Sequence, residues 1–291
     1  MKILITGANG FVGNYLVRYF LSRGNEVYGF SRPDSTNKLT NIQQYVDFKA
    51  IVDLNKCCPV DVVIHAAAQC PGENVCLSDY IKSNIFLTQD VAEYAEASHV
   101  KKVIYLSAIS INGDVRENVV DEHSAIVNPD NYDITKLLGE RILSERADRF
   151  ATCSLRLPKV VGREAKNGWF VNLCQKAIAN EPLVVYNDCA SFNNLVDIND
   201  LAVFINNLCQ TTLSGFDVIT LASTGKVTIR ELCNTILREL RSESEVIYRD
   251  SQKASFFISI DKAVATYGFK PKHIMEVLVK YCAAKMGAYK I

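Results

Sequence analysis

Lys2-Ile3-Leu4-Ile5-Thr6 is a short apolar run that stops at Gly7-Ala8-Asn9-Gly10-Phe11-Val12-Gly13. Behind it, Phe11, Leu16, Val17, Phe20 and Leu21 recur at helical spacing. A strand, a glycine loop and a helix in that order leave a chain few ways to fold. Glycines permit the tight turn and let backbone amides approach a pyrophosphate, whose charge the helix N-terminus stabilises. Gly7, Asn9, Gly10, Phe11, Val12 and Gly13 are therefore the expected phosphate-binding residues.

Downstream residues say which dinucleotide such a loop would take. Arg23-Gly24 ends the helix, and Glu26 to Phe30 reads as a second strand. A carboxylate roughly 20 residues beyond the loop would hold the ribose diol of NAD, whereas a 2′-phosphate wants a cation. The chain offers Ser31-Arg32, a hydroxyl and a guanidinium able to grip a phosphate by two hydrogen bonds. NADP is the expected cofactor, with NAD the alternative if Asp34 folds back onto the diol. Gln44 to Val46 reads as a third strand; Asp47 and Phe48 either flank an adenine or open a helix over 49–58. Val60 to Ala68 is a buried strand whose end, Ala66-Ala67-Ala68, has side chains small enough for a flat cofactor to lie against backbone, and His65 reads as a satisfied core histidine.

The alternation continues with a long amphipathic helix from Ser78 to Ala97, carrying Tyr80, Asn84 and Thr88 at four-residue intervals. Then come a strand from Lys102 to Leu106, a loop from Ser107 to Gly113, and a helix from Tyr132 to about Arg146. Strands alternating with helices predict an α/β fold: a Rossmann-type doubly wound parallel sheet covered on both faces, with ligands at the carboxyl ends of the strands. Tyr132 and Lys136 stand one helical turn apart and share a face. A phenol with an ordinary pKa of roughly 10 can exchange protons near neutrality only if something stabilises its anion, and a nearby ammonium does so.

Composition narrows the function classes. The 291 residues are 48% apolar and 22% charged, with 32 Lys plus Arg against 32 Asp plus Glu. No basic tract invites a nucleic acid, and no apolar run reaches the roughly 18 residues of a membrane span, so a cytoplasmic protein is expected. Most of the ten cysteines sit in apolar runs, and Cys57-Cys58, Cys70 and Cys76 lack repeated CxxC spacing, so free thiols and no metal are expected.

Taken together, these residues resemble the extended short-chain dehydrogenase/reductases of the NAD-dependent epimerase/dehydratase type, which act mostly on nucleotide-diphosphate sugars. ITGANGFVG is similar to that family's dinucleotide loop, VVIHAAA to its fourth strand, Tyr80 to Thr88 to its YxxxNxxGT helix and YDITK to its YxxxK motif. Leu155 to Gly162 resembles LRxxxVYG, Leu195 to Leu201 the FVHVDDLA stretch, and Tyr267 to Pro271 the LGFxP signature. The resemblance implies Tyr132 as acid/base, Lys136 as the group that lowers its pKa and holds the nicotinamide ribose, and Asn84 as the support of that lysine. It adds Ser107 and Pro158 to the expected cofactor contacts. Where the family carries a Ser or Thr hydroxyl, this chain has Ala108, leaving Ser107 or Ser110 to reach the substrate oxygen; Ser110 is the candidate. Asn193 stands where an arginine often holds the sugar-nucleotide diphosphate, a task open to Arg163, Arg230 or Arg249.

The expected architecture places 1–162 and 193–222 in a dinucleotide-binding domain, and 163–192 and 223–291 in an interleaved substrate lobe, with a cleft between them. A homodimer through helices 78–97 and 131–146 is implied by the resemblance. The leading function is an NADPH-dependent ketoreductase acting at C4 of a nucleotide-diphosphate deoxysugar. Dehydration is disfavoured because Ile109-Ser110 replaces the Asp-Glu pair of dehydratases. The alternatives are a nucleotide-sugar 4-epimerase with bound NAD, and a dinucleotide-binding regulator without chemistry.

Overall fold

The computed structural model describes residues 1–31, 39, 42–45, 60–251 and 255–287. Arg32, Asp34, Asp47, Phe48, the helix expected over 49–58 and Cys57-Cys58 lie outside the described residues. The chain divides into two compact units: 1–113, 128–156 and 202–219 in one, and 114–127, 157–201 and 220–291 in the other.

The first unit is built on strands β1 (Lys2–Thr6), β2 (Glu26–Phe30), β3 (Gln43–Tyr45), β4 (Val62–His65), β5 (Lys102–Ala108), β6 (Ala151–Leu157) and β7 (Phe216–Thr220). They form one sheet in the order β3-β2-β1-β4-β5-β6-β7. The pairings from β3 across to β5 are parallel, with Thr6 beside both Phe30 and His65. Ile3, Leu4, Ile5, Val63, Ile64, Val103 and Ile104 are fully buried, as strands covered on both faces require. Each such side chain contributes about 1.5–3 kcal/mol. The strand order reverses between β1 and β4, and ligands of doubly wound sheets sit at that switch point.

Helices α1 (Phe11–Leu21), α2 (residues 77–97) and α3 (Asn131–Ser144) belong to the same unit. In α2, a π segment, Ile81–Phe86, interrupts Leu77–Tyr80 and Leu87–Ala97. The expected strand over 60–68 is shorter than predicted, ending at His65. Ala66 and Ala67 instead cross over the glycine loop, where a Cβ on Gly7 would lie 2.9 Å from the Ala67 backbone.

The second unit carries three short parallel strand pairs. Lys159–Val161 pairs with Leu195–Asp197, Leu183–Tyr186 with Val246–Arg249, and Val119–Val120 with Phe257–Ile258. Thr228 and Glu231 form the expected capping box at the start of helix Ile229–Leu240. Residues 114–127, 157–162, 193–201 and 220–222 fall in this unit rather than in the first. The reason is strand pairing, because Lys159–Val161 and Leu195–Asp197 bond each other outside the seven-stranded sheet. Among the described residues no helix is long and apolar enough to cross a membrane, and no cluster of three or more His, Cys, Asp or Glu could hold a metal ion.

Candidate active site

The glycine loop leads into α1 with Gly10 at the N-cap, no side-chain cap and no acidic residue in the first turn. Its leading N–H groups are thus left for an anion. Gly7 has φ +68°, and a Cβ on Gly13 would stand 2.1 Å from the Gly7 carbonyl oxygen, so both positions require glycine. Phe11 and Val12 open the helix and are half-buried.

Beside this loop is a cavity of about 370 Å3, walled by Gly7, Asn9 and Gly10, by Phe30 and Ser31 after β2, and by Ala66, Ala67 and Ala68 after β4. The Asn9 amide donates to Ser31 Oγ at 2.8 Å and accepts from the Leu39 amide at 3.3 Å, tying the loop to the end of β2. Small side chains, close backbone and an uncapped helix N-terminus fit the pyrophosphate and flat rings of a dinucleotide. Gln69, Lys82, Ser83, Leu87 and Asp90 complete the wall, and sequence reasoning missed them. Lys82, Ser83, Leu87 and Asp90 sit on the helix that also carries Asn84, and Gln69 follows the Ala66–Ala68 run.

Asp130 caps α3 by accepting from the Asp133 amide at 2.9 Å, which sets Tyr132 and Lys136 in the first turns. Asn84, buried within the π segment of α2, accepts from the Gln69 amide at 2.7 Å. It donates to Thr135 Oγ1 at 2.9 Å, and Thr135 donates in turn to the Tyr132 carbonyl at 2.8 Å. Asn84 therefore locks the backbone of the Tyr132 turn rather than touching Lys136 directly. The Tyr80 and Tyr132 rings meet at a tilt of 58°, with centroids 6.0 Å apart.

Burial pushes the Tyr132 hydroxyl above its ordinary value, and Cys70, Asp133, Asp130 and Tyr80 push it further the same way. Burial lowers the Lys136 ammonium to about 8, with Cys70 and Glu140 partly offsetting. Both shifts disfavour charge in a buried site.

Around Ala108 the two serines differ. Ser107 is buried, and its hydroxyl has no hydrogen-bond partner among the described residues. Ser110, exposed on the 3-10 turn Ile109–Asn112, donates to the Asp133 carboxylate. Its one hydrogen is committed there, so it would meet a ligand as an acceptor. The Asp133 carboxyl is raised, chiefly by burial.

The remaining expected residues lie in the second unit. Pro158 is buried beside strand Lys159–Val161, and Arg163 is exposed, its carbonyl accepting from Lys285 Nζ at 3.1 Å. Arg230 pairs with Asp188 and stacks over the Tyr248 ring at 4.3 Å. Asn193 stands where the resemblance would place an arginine at the substrate diphosphate. It is fully buried, its side-chain oxygen accepting from the Ile258 amide at 2.9 Å and its nitrogen donating to the Ile258 carbonyl at 2.8 Å and the Ser223 carbonyl at 3.3 Å. Those bonds occupy the amide on both sides and make it a latch between backbone segments.

Comparison with known proteins agrees with this geometry. The NAD dependent epimerase/dehydratase family matches residues 3–217. Sterol-4-alpha-carboxylate 3-dehydrogenase, decarboxylating, from Dictyostelium discoideum is 26% identical over 60% of this chain and 58% of its own length. The dTDP-4-dehydro-6-deoxyglucose reductase of Escherichia coli is 20% identical, covering 94% of each chain. The UDP-glucuronic acid 4-epimerase of Bacillus cereus, solved in complex with NAD, superposes with a TM-score of 0.83 at 22% identity over 100% of both chains, which shows the shared Rossmann-type fold. With its strand order, glycine loop and YxxxK helix, the chain belongs to the NAD dependent epimerase/dehydratase family of NAD(P)-dependent oxidoreductases and epimerases.

Proposed function

We propose that the protein is a cytoplasmic NADPH-dependent ketoreductase that reduces a keto group, at C4, of a nucleotide-diphosphate sugar. The observation that supports this reading is the placement of Tyr132 and Lys136 one turn apart at the start of α3, which offers a phenol as the proton donor that reduction of a carbonyl needs. The name of the Escherichia coli relative states the same chemistry, a dTDP-linked 4-keto sugar reduced.

Bound NADPH would supply the hydride. Tyr132 gives its proton to the forming alkoxide, and the Lys136 ammonium beside that turn holds the ribose hydroxyls and stabilises the phenolate left behind. Ser107 and Ser110 flank the oxygen in place of the hydroxyl missing at Ala108, Ser107 with its hydrogen unspent and Ser110 as an acceptor. Ser31 and Arg32 select the 2′-phosphate. A second copy of the chain is the partner for α2 and α3, which leave Phe86, Ile134 and Leu138 exposed.

A second reading, a nucleotide-sugar 4-epimerase with retained NAD, is favoured by the full-length likeness to the Bacillus cereus epimerase. The proposal is tested by Tyr132→Phe, expected to keep NADPH affinity while turnover with a nucleotide-linked 4-keto sugar falls at least about 100-fold. Full activity in that variant contradicts it. Titration with NADPH and NADH should show tighter NADPH binding that Arg32→Ala abolishes, and equal affinities in the unaltered protein overturn the cofactor assignment.

A further inference from the structure

Beneath the catalytic helix runs a buried polar chain whose proton directions can be assigned. The Ala67 amide donates to Thr6 Oγ1 at 3.1 Å, so the hydrogen of Thr6 is available to His65 Nδ1, 2.7 Å away. Nδ1 is then the acceptor, and the ring hydrogen sits on Nε2, directed at Thr88 Oγ1 at 2.9 Å. Thr88 donates to the Asn84 carbonyl at 2.5 Å, a carbonyl within the π segment. Thr6, His65 and Thr88 are fully buried, and burial, then Lys136, lowers His65 to about 3, so it stays neutral.

This chain ends on Tyr105. The Tyr105 ring lies 5.3 Å from the His65 ring, its hydroxyl donates to the Lys136 carbonyl at 3.4 Å, and the side chain is fully buried. On α3, Gly139 makes room for it, since a Cβ there would stand 2.3 Å from the Tyr105 hydroxyl oxygen. The Lys136 ammonium lies 4.1 Å from the centroid of that ring. Among the described residues it makes no hydrogen bond, so the aromatic face is what it rests on.

We propose that Tyr105 is the positioning residue for Lys136: its ring face holds the ammonium on the face of α3 that carries Tyr132, and the Thr6–His65–Thr88 chain fixes the ring. The role matters only if Tyr132 and Lys136 are the acid/base pair proposed above, yet the contact is measurable without any substrate. The other titratable groups facing Lys136 are His65 from β4, Cys70 from the segment after it, and Glu140 from α3 itself.

The test replaces Tyr105 by Phe, by Leu and by pentafluorophenylalanine, which keeps the shape of the ring and removes its negative face. The Lys136 titration is followed by NMR of isotope-labelled lysine, with NADPH affinity measured across the same pH range. Tyr105→Phe should leave the titration near its value of about 8. The Leu and fluorinated variants should lower it by about one unit and weaken NADPH binding up to about tenfold at pH above the titration. A common titration in all the variants, or a Phe variant shifted as far as the fluorinated one, overturns the proposal. Should the Leu variant fail to fold, the isosteric fluorinated ring decides. A failure of the reductase reading leaves the Lys136 titration untouched, so the two outcomes are distinguishable.

Discussion

Among the described residues of the sheet unit two lysines are buried, Lys102 with 8% of its surface exposed and Lys136 with 2%, and they are held in opposite ways. Lys102, at the start of β5, donates to the carbonyls of Leu208, Cys209 and Thr211 at 2.7, 2.9 and 2.6 Å. It closes the C-terminus of helix Ile198–Gln210, where the exposed carbonyls and the helix dipole both favour a cation. All three of its donors are used. Lys136 has the face of Tyr105 instead and keeps its hydrogen-bonding capacity unspent. A buried polar group that is fully satisfied belongs to the architecture, and one left partly satisfied is available for chemistry.

The largest effects should come from exchanging each lysine for methionine. Lys136→Met is expected to lower kcat/KM by about 1,000-fold, roughly 4 kcal/mol of transition-state stabilisation, with the melting temperature unchanged or raised, because a desolvated charge is removed. Lys102→Met should do the reverse. It leaves three carbonyls without their donor and costs about 3 kcal/mol of stability, while the folded protein turns over normally. Denaturant melts and steady-state kinetics on both variants check the contrast, and matching losses in both would dissolve it.

A smaller effect separates His65 from its surroundings. Its folded pKa of about 3 lies below the ordinary 6.5, so its contribution is complete above pH 6.5 and is lost as pH falls toward 3. Near pH 4.5 the wild-type protein should have lost about 3 kcal/mol through this group alone. His65→Gln should flatten that part of the stability curve; parallel curves for the two proteins would show that the histidine does not titrate this way. Smallest is the split between the serines beside Ala108. Ser107→Ala removes an unspent donor and should lower kcat about tenfold, and Ser110→Ala should lower it only about threefold. The reverse order would mean that Asp133 gives up its bond to Ser110 when substrate binds.

What could be read from sequence follows from how local each determinant is. The glycine loop, the Thr228 and Glu231 capping box and the Tyr132/Lys136 face are set by neighbours within a turn or two, and each forms where its residues predict. The Tyr105 ring beneath Lys136 depends on residues 31 positions apart, and nothing in the run Val103 to Leu106 distinguishes it from ordinary strand packing. The π segment of α2 was equally hidden, because an extra residue in a turn leaves an apolar pattern little changed. Asn193 is hidden for a related reason: only the backbone of Ile258 and Ser223, distant in sequence, occupies its amide. Short strand pairs such as Lys159–Val161 with Leu195–Asp197 bring together segments distant in sequence, which no local pattern announces.

The most direct test of the proposed reduction is the stoichiometry of the dinucleotide. A nucleotide-linked 4-keto sugar mixed with excess NADPH should consume one NADPH for each sugar reduced, with the label of a deuterated NADPH appearing on the sugar carbon that carried the keto group. Interconversion of the two 4-hydroxyl epimers with no net change in the dinucleotide would contradict the account and make the protein an epimerase.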